Sequence, residues 1–396
     1  MPSPTVLTDA DIASGAPPAA DPERVAALLE CRRVPTPVLV VDVESVIAHY
    51  RALARVLPGA VIHYAVKANP LPEIVGALAA EGSCFDVASV AEIEACLALD
   101  IPPDRLSFGH TVKHASAIAR ADAAGIDLFS CDSIGELRKI ARHAPRARVM
   151  VRLATDGAHA EWPLSRKFGC DAAMARDLLL EAARLGLMPY GLSFHVGSQQ
   201  TDPGQWRHPI ALAAALFTDL RARGVVLQAL NLGGGFPARY STPLPPLHAY
   251  GTAIAAALYC AFGRDQPRIL VEPGRHLVAD AGIIQSQVLL IAHKSYAKDP
   301  PWVYIDCGRF GGLAETMDEA IRYRVRVPGR HGRLTRVILA GPTCDSADIL
   351  YEKSPCCLPC DLEEGDCLQI LSAGAYTHTY ASVGFNGFPP LRTVCI

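Results

Sequence analysis

The chain has 396 residues, half of them hydrophobic and 19% charged, enough for a large barrel and a second, smaller domain. Its 37 basic and 40 acidic residues give a net charge of −3, which argues against a nucleic-acid or membrane surface built on bulk charge. Thirteen cysteines without a disulfide-like frame, no basic-then-apolar leader and no run near the ~20 apolar residues of a membrane span point to a reducing cytoplasm.

Residues 1–22 are rich in proline, alanine and aspartate and read as a loose arm. A helix-like run over 23–31 ends ahead of Pro35 and Pro37, and a strand over 38–42 and helical periodicity over 43–56 follow. From residue 61 the pattern is regular. Apolar strand-like runs recur at 61–66, 84–87, 106–109, 128–131, 149–153, 191–196, 230–232 and 269–271, with amphipathic stretches between them. Ser89-x-x-Glu92 and Ser133-x-x-Glu136 have the spacing of capping boxes opening two helices. About eight strand-then-helix units argue for a closed barrel, although strand count alone leaves a doubly wound open sheet compatible. Beyond Arg275, runs at 283–291, 302–305, 323–327, 336–339, 367–371 and 393–396 lack amphipathic helices between them, the texture of a mainly β domain. The expected division is an arm and lead-in over 1–37, a barrel over 38–280 and a β domain over 281–396.

Barrel chemistry gathers at the C-terminal ends of the strands. Reactive residue types fall there in this chain: Lys67, Asp86 with Ser89, His110, Asp132, Arg152, His195 with Ser198, Gly233-Gly234-Gly235, and Glu272 with Arg275. A lone lysine at a strand end usually snorkels to water, and a triple glycine is usually a tight turn. Repetition at successive strand ends outweighs those bland readings. Bare N–H groups in the triplet let a phosphate approach, and Arg275 supplies charge one strand further on. Without a GxxxxGK[ST] or a dinucleotide fingerprint, ATP and NAD are not favoured. A lysine, a phosphate cradle and a carboxylate together suggest pyridoxal phosphate. Lys67 would hold the aldehyde as a Schiff base, Glu272 would keep the pyridine nitrogen protonated, and His195 would stack on the ring. Cys356-Cys357-Leu358-Pro359-Cys360 with Cys367 has no second ligand pair at finger spacing, so it reads as thiols in a β-domain loop and no metal is expected.

Several motifs carry a family resemblance. They are Ala65-Val66-Lys67-Ala68-Asn69, Cys84-Phe85-Asp86-Val87-Ala88-Ser89, Ser193-Phe194-His195-Val196-Gly197-Ser198, Gly233-Gly234-Gly235-Phe236-Pro237, Glu272-Pro273-Gly274-Arg275, Gly341-Pro342-Thr343-Cys344-Asp345 and Gly374-Ala375-Tyr376. In order, from about residue 37 to the C-terminus, they resemble the fold-type III PLP-dependent decarboxylases (ornithine, lysine and diaminopimelate decarboxylases), and most the ornithine branch. Leu164-Ser165-Arg166-Lys167-Phe168-Gly169 and Gly311-Gly312-Leu313-Ala314-Glu315 are similar to its bacterial members.

The resemblance implies an α/β fold, an alanine-racemase-like (β/α)8 barrel plus a C-terminal all-β domain. It also implies a homodimer with active sites shared across the interface. By motif, it makes Lys67 the Schiff-base lysine, stacks His195 on the ring and pairs Glu272 with the ring nitrogen. Ser198, Gly234, Gly235, Gly274, Arg275 and Tyr376 would hold the phosphate region, with Asp86 and Arg152 around the ring and lysine. Cys344 of the partner subunit would reprotonate the carbanion, and Asp345 of the partner subunit would bind the distal amine.

The implied reaction is decarboxylation of a basic L-amino acid, with L-ornithine to putrescine, in polyamine biosynthesis, the expected case. L-lysine, dual lysine and ornithine, or a modified amino acid are the alternatives. A non-catalytic decoy that binds a protein partner carries less weight, because the cofactor ligands are retained. Glu272 speaks against the racemase branch, which places an arginine there, and Cys344-Asp345-Ser346 departs from the diaminopimelate pattern. Where eukaryotic ornithine decarboxylases carry an aspartate this chain has Cys307, with the acid one step earlier at Asp306. Both are expected near the substrate.

Overall fold

The computed structural model describes residues 17–162, 166–297 and 299–396. Most of the expected arm, and Leu164-Ser165 of the bacterial-type motif, lie outside the described residues. The chain divides into two units. One comprises Tyr50–Pro237 and Pro245–His276, and the other gathers the described residues up to His49 with Ala238–Leu244 and Leu277–Ile396.

The first unit is a closed barrel of eight parallel strands, Val61–Ala65, Cys84–Val87, Leu106–Phe108, Leu128–Cys131, Arg148–Arg152, Met188–Ser193, Ala229–Asn231 and Arg268–Val271. Each pairs with the next, and the eighth closes on the first through Leu270 opposite Val61 and Val271 opposite Ile62. Leu128, Met150, Tyr190, Ala229 and Leu270 pack together with Val61, one residue from each of six strands. Packed side chains therefore fill this layer, and chemistry is left to the strand ends. The first strand stops at Ala65, and Val66–Ala68 is a 3-10 turn. Tyr64 Oη donates to Asn69 O at 2.8 Å across that turn. Lys67 thus stands on the turn with its side chain exposed between buried Val66 and Ala68, not at the end of a buried strand.

Both serine caps form. Ser89 Oγ accepts from Glu92 N at 3.2 Å, and Ser133 Oγ accepts from Glu136 N at 3.4 Å. The reciprocal half of each box is diverted. Glu92 Oε2 takes the N–H of Ala88, one residue before the cap, at 2.7 Å. Glu136 pairs with buried Lys113 at 3.0 Å and with Lys139 at 2.7 Å.

The second unit is an eight-stranded sheet. Its spine runs Arg324–Arg326, Cys367–Leu371, Gly282–Ala292, Trp302–Ile305, Leu334–Ala340 and Ile349–Pro359, and Val38–Val41 and Arg392–Cys395 extend it from Gly282–Ala292. Helix Pro22–Arg32, capped by Asp21, packs Val25 and Leu29 against Val38, Val40, Ile283 and Leu371.

Two expectations change here. The 38–280 boundary places Val38–Val41 in the barrel, but the strand pairs antiparallel with Gly282–Gln285 and parallel with Arg392–Cys395. An all-apolar run of four fits the centre of either sheet, and periodicity cannot name its neighbours. The cysteines 356 and 357 lie on a strand, Ile349–Pro359, and not in a loop. Among the described residues that strand pairs only with Leu334–Ala340, so its prolines sit on an edge, where they are tolerated. Between the Leu339–Tyr351 and Val337–Cys356 pairs it bulges, and Glu319 Oε1 accepts the N–H groups of Glu352, Lys353 and Ser354 at 2.9, 2.7 and 3.3 Å. Among the described residues no helix is long and apolar enough to cross a membrane, and no group of His, Cys, Asp or Glu could hold a metal ion.

Candidate active site

The barrel brings the expected strand-end residues of its unit to one mouth. Lys67 follows the first strand and Asp86 lies near the end of the second. Asp86 is buried, and Ser107 Oγ of the third strand lies 3.4 Å from its Oδ1, with His63 Nδ1 3.1 Å from the same hydroxyl. Burial, reinforced by Glu272, pushes the Asp86 carboxyl well above the usual carboxylate range, while Lys67 and Arg152 oppose the shift. Burial likewise raises Glu92, against the pull of the Ala88 N–H and Lys67. Lys67 therefore stands in the field of Asp86 and Glu92.

The glycine triplet after the seventh strand is a close-approach structure. A Cβ at Gly233, whose φ is 67°, would lie 2.1 Å from Phe194 O. At Gly234 it would lie 2.5 Å from Glu272 O and 3.1 Å from His195 Nε2, and at Gly235 2.5 Å from Gly197 O. Only residues without Cβ fit here, so bare N–H groups line the loop. Beside it, Arg275 Nε donates to Ser198 Oγ at 3.1 Å, and the Arg275 side chain is buried.

Glu272 receives a hydrogen bond from Asn231 Nδ2, and Asn231 Oδ1 accepts from Gly233 N at 2.9 Å. His195 Nδ1 accepts the N–H of Gly197 at 3.0 Å, which leaves Nε2 toward Gly234. Burial, with Arg152 and Lys67, holds the His195 imidazole well below its usual range, so the ring is neutral at physiological pH. Arg152 lies with its guanidinium carbon 5.3 Å from the Phe168 ring, and His110 meets the same ring edge-on at 5.9 Å. Asp132 Oδ2 accepts from Gly169 N at 2.9 Å and anchors that loop. The backbone of His110 is fixed from below by buried Lys113, whose Nζ donates to His110 O at 2.7 Å and Ser130 O at 2.8 Å.

These groups fit a phosphorylated pyridine aldehyde. The glycine loop would be filled by any Cβ, a hydroxyl and a guanidinium adjoin it, an oriented carboxylate is available to a ring nitrogen, and a primary amine stands at the same mouth.

The other expected residues belong to the second unit. Cys344 and Asp345 are exposed on the loop ahead of Ile349. Tyr376 has φ 54° in a turn, and its ring lies 5.8 Å from that of Tyr380. Asp306 is engaged within the sheet, accepting from Ser286 Oγ at 2.6 Å and Gln287 N at 2.9 Å. Cys307 is fully buried, and its thiol lies 3.7 Å from Gly311 O.

Three residues of the barrel mouth escaped the sequence reading. Asn231 orients Glu272, Glu92 faces Lys67, and Gly109 makes room for Asp86, whose Oδ1 would be 2.1 Å from a Cβ there. Position at a strand end was the available signal for Asn231 and Gly109.

Comparison with known proteins agrees with this geometry. The model of the pyridoxal binding domain of pyridoxal-dependent decarboxylases matches residues 43–279. The lysine/ornithine decarboxylase of Selenomonas ruminantium is 32% identical over 363 residues, covering 90% of this chain and 88% of its own length. Ornithine decarboxylase of Mus musculus is 33% identical over 366 residues, covering 88% and 78%. A crystal structure of the lysine/ornithine decarboxylase of Vibrio vulnificus complexed with cadaverine matches with a TM-score of 0.86 and 31% identity, over 95% of this chain and 99% of that one.

Proposed function

The chain belongs to the fold-type III pyridoxal-phosphate-dependent decarboxylases, and we propose that its substrate is L-ornithine, with putrescine and CO2 as products. It is a decarboxylase of basic amino acids, and its cofactor is pyridoxal 5'-phosphate. When bound, the cofactor supplies an electrophilic carbon for the substrate amine and a ring that accepts the electrons released with CO2.

This chain's own residues do the rest in our reading. Lys67 would hold the cofactor through its aldehyde. Glu272, oriented by Asn231, would keep a proton on the ring nitrogen, and neutral His195 would lie against the ring. Ser198, Gly234, Gly235, Gly274 and Arg275, with Tyr376, bind the phosphate, and Asp86 and Arg152 set the charge around the lysine. Asp345 of the partner subunit pairs with the distal ammonium, and Cys344 of the partner subunit returns a proton to the α-carbon. Asp306 and Cys307 would lie near the substrate.

The observation that carries the reading is the convergence of Glu272, the glycine loop and the Ser198–Arg275 pair on the mouth that presents Lys67. An acid at Asp345 favours a substrate with a distal cation. L-lysine is the second candidate, because one methylene is worth only ~1–3 kcal/mol of discrimination and the Selenomonas relative is named for both amino acids. The working form is a homodimer. Tyr380, Val383, Phe385 and Phe388 expose a large apolar surface in the C-terminal segment, as an interface requires. The thirteen unbridged cysteines suit the cytoplasm.

The test is a decarboxylation panel with ornithine, lysine, arginine and diaminopimelate, reading CO2 and identifying the amine. Putrescine from ornithine at the highest kcat/KM supports the assignment. Preferential cadaverine release moves it to lysine, and no turnover on any of the four defeats it.

A further inference from the structure

Cys344 is held by a residue 42 positions further along the chain. Asn386 Oδ1 accepts twice from it, from the backbone N–H at 3.1 Å and from the thiol at 3.4 Å. Asn386 has φ 50°, a left-handed conformation that asparagine adopts more readily than other residues with a Cβ. The ring of Phe385, next to it, packs on that of Phe310 with centroids 4.8 Å apart, which fixes the turn. An amide oxygen can accept from S–H but offers nothing to a thiolate. The two bonds together therefore fix the place of the sulfur and aim its S–H.

We propose that Asn386 is a positioning residue that presents the Cys344 thiol as a proton donor. The proposal rests on the reading of Cys344 as the group that returns a proton to the substrate. When CO2 leaves, the electron pair of the broken C–C bond stays with the α-carbon. The Cys344 S–H bond breaks, a C–H bond forms at that carbon, and the thiolate left behind takes a proton from water. If the proton were delivered instead to the cofactor, the amino nitrogen and two electrons would stay with the cofactor, and water would supply the oxygen of the carbonyl left at the former α-carbon. An aminoaldehyde then replaces the diamine, and no external oxidant is needed.

Two variants separate the parts. Asn386→Gly keeps the left-handed turn and removes the acceptor. Asn386→Asp keeps turn and acceptor and adds negative charge. In the holoenzyme, the rate of Cys344 alkylation by iodoacetamide is followed by peptide mapping, with exposed Cys31 as internal reference. Asn386→Gly is expected to speed alkylation of Cys344 about fivefold, the size of one neutral hydrogen bond, because the thiol is no longer tethered. Asn386→Asp, which keeps an acceptor oxygen at the same place, is expected to stay near the wild-type rate. The aminoaldehyde-to-diamine ratio on turnover should rise about fivefold in Asn386→Gly. A wild-type alkylation rate and product ratio in Asn386→Gly, with an altered ratio in Cys344→Ala, overturn the role of Asn386 and leave that of Cys344 standing. A wild-type ratio in Cys344→Ala overturns the proton-donor reading and the proposal with it.

Discussion

Asn231 joins Glu272 to the glycine triplet, donating from Nδ2 to Glu272 Oε1 and accepting from Gly233 N at 2.9 Å. One amide thus ties the carboxylate expected at the ring nitrogen to the loop expected at the phosphate. A hydrogen bond to a charged group is worth about 1.5–3 kcal/mol, or roughly 10–100-fold. Asn231→Ala is therefore expected to lower kcat at least about tenfold with KM changed much less. Asn231→Asp should be worse, because two carboxylates would then face each other. Steady-state kinetics and the rate of cofactor loss on dialysis check both.

Gly109 leaves no room for a side chain, since a Cβ would sit 2.1 Å from Asp86 Oδ1 and 2.9 Å from its Cγ. Gly109→Ala should cost about 1–3 kcal/mol, the price of overpacking, and lower Tm by several degrees. Pairing it with Asp86→Ala should recover most of the Tm and none of the activity. Thermal unfolding of the two single variants and the double variant tests this as a cycle.

Stability should fall on mild acidification because of His63. Burial, helped by Arg268, lowers its imidazole from 6.5 to about 4. Between those values the unfolded chain binds a proton that the folded barrel refuses, so stability is complete above pH 6.5 and drains away as pH falls toward 4. The loss is about 3 kcal/mol at ~1.4 kcal/mol per pH unit. His195, also held below its usual range, acts in the same direction. Urea unfolding between pH 4 and 7 should show a shallower slope for His63→Asn than for the wild type.

Lys67→Ala should abolish turnover and remove the visible absorbance of the protein-bound cofactor, with the fold retained. Lys67 is exposed on its turn, so truncation opens no core cavity. Near-unchanged circular dichroism with a lost cofactor band is the expected pair of results. A retained band would place the aldehyde on another lysine.

The barrel was legible because its signal is local and repeated. Each strand is a short apolar run, each helix an amphipathic one, and the eight units announce themselves by alternation. The Ser89 and Ser133 caps were legible for the same reason, as they need only a serine and a fixed spacing. What spacing missed was the other half of those boxes. Glu136 meets Lys113 across 23 residues, and no local pattern records that choice. The long strand Ile349–Pro359 was hidden because two prolines and a bulge disguise it, and its spare N–H groups are satisfied by distant Glu319.

Lys67, His195, the glycine triplet, Glu272 and Arg275 could be chosen from the sequence by residue type, strand-end position and motif. Which neighbours tune them was decided only in three dimensions. Asn231 on Glu272, Gly109 beside Asp86 and Asn386 on Cys344 are contacts between segments far apart in the chain. So is the transfer of Val38–Val41 from the barrel to the second sheet. The reason is physical. A residue's type and local period set what it can bond and which way it faces, but hydrogen-bond partners and burial are properties of whatever the fold brings alongside.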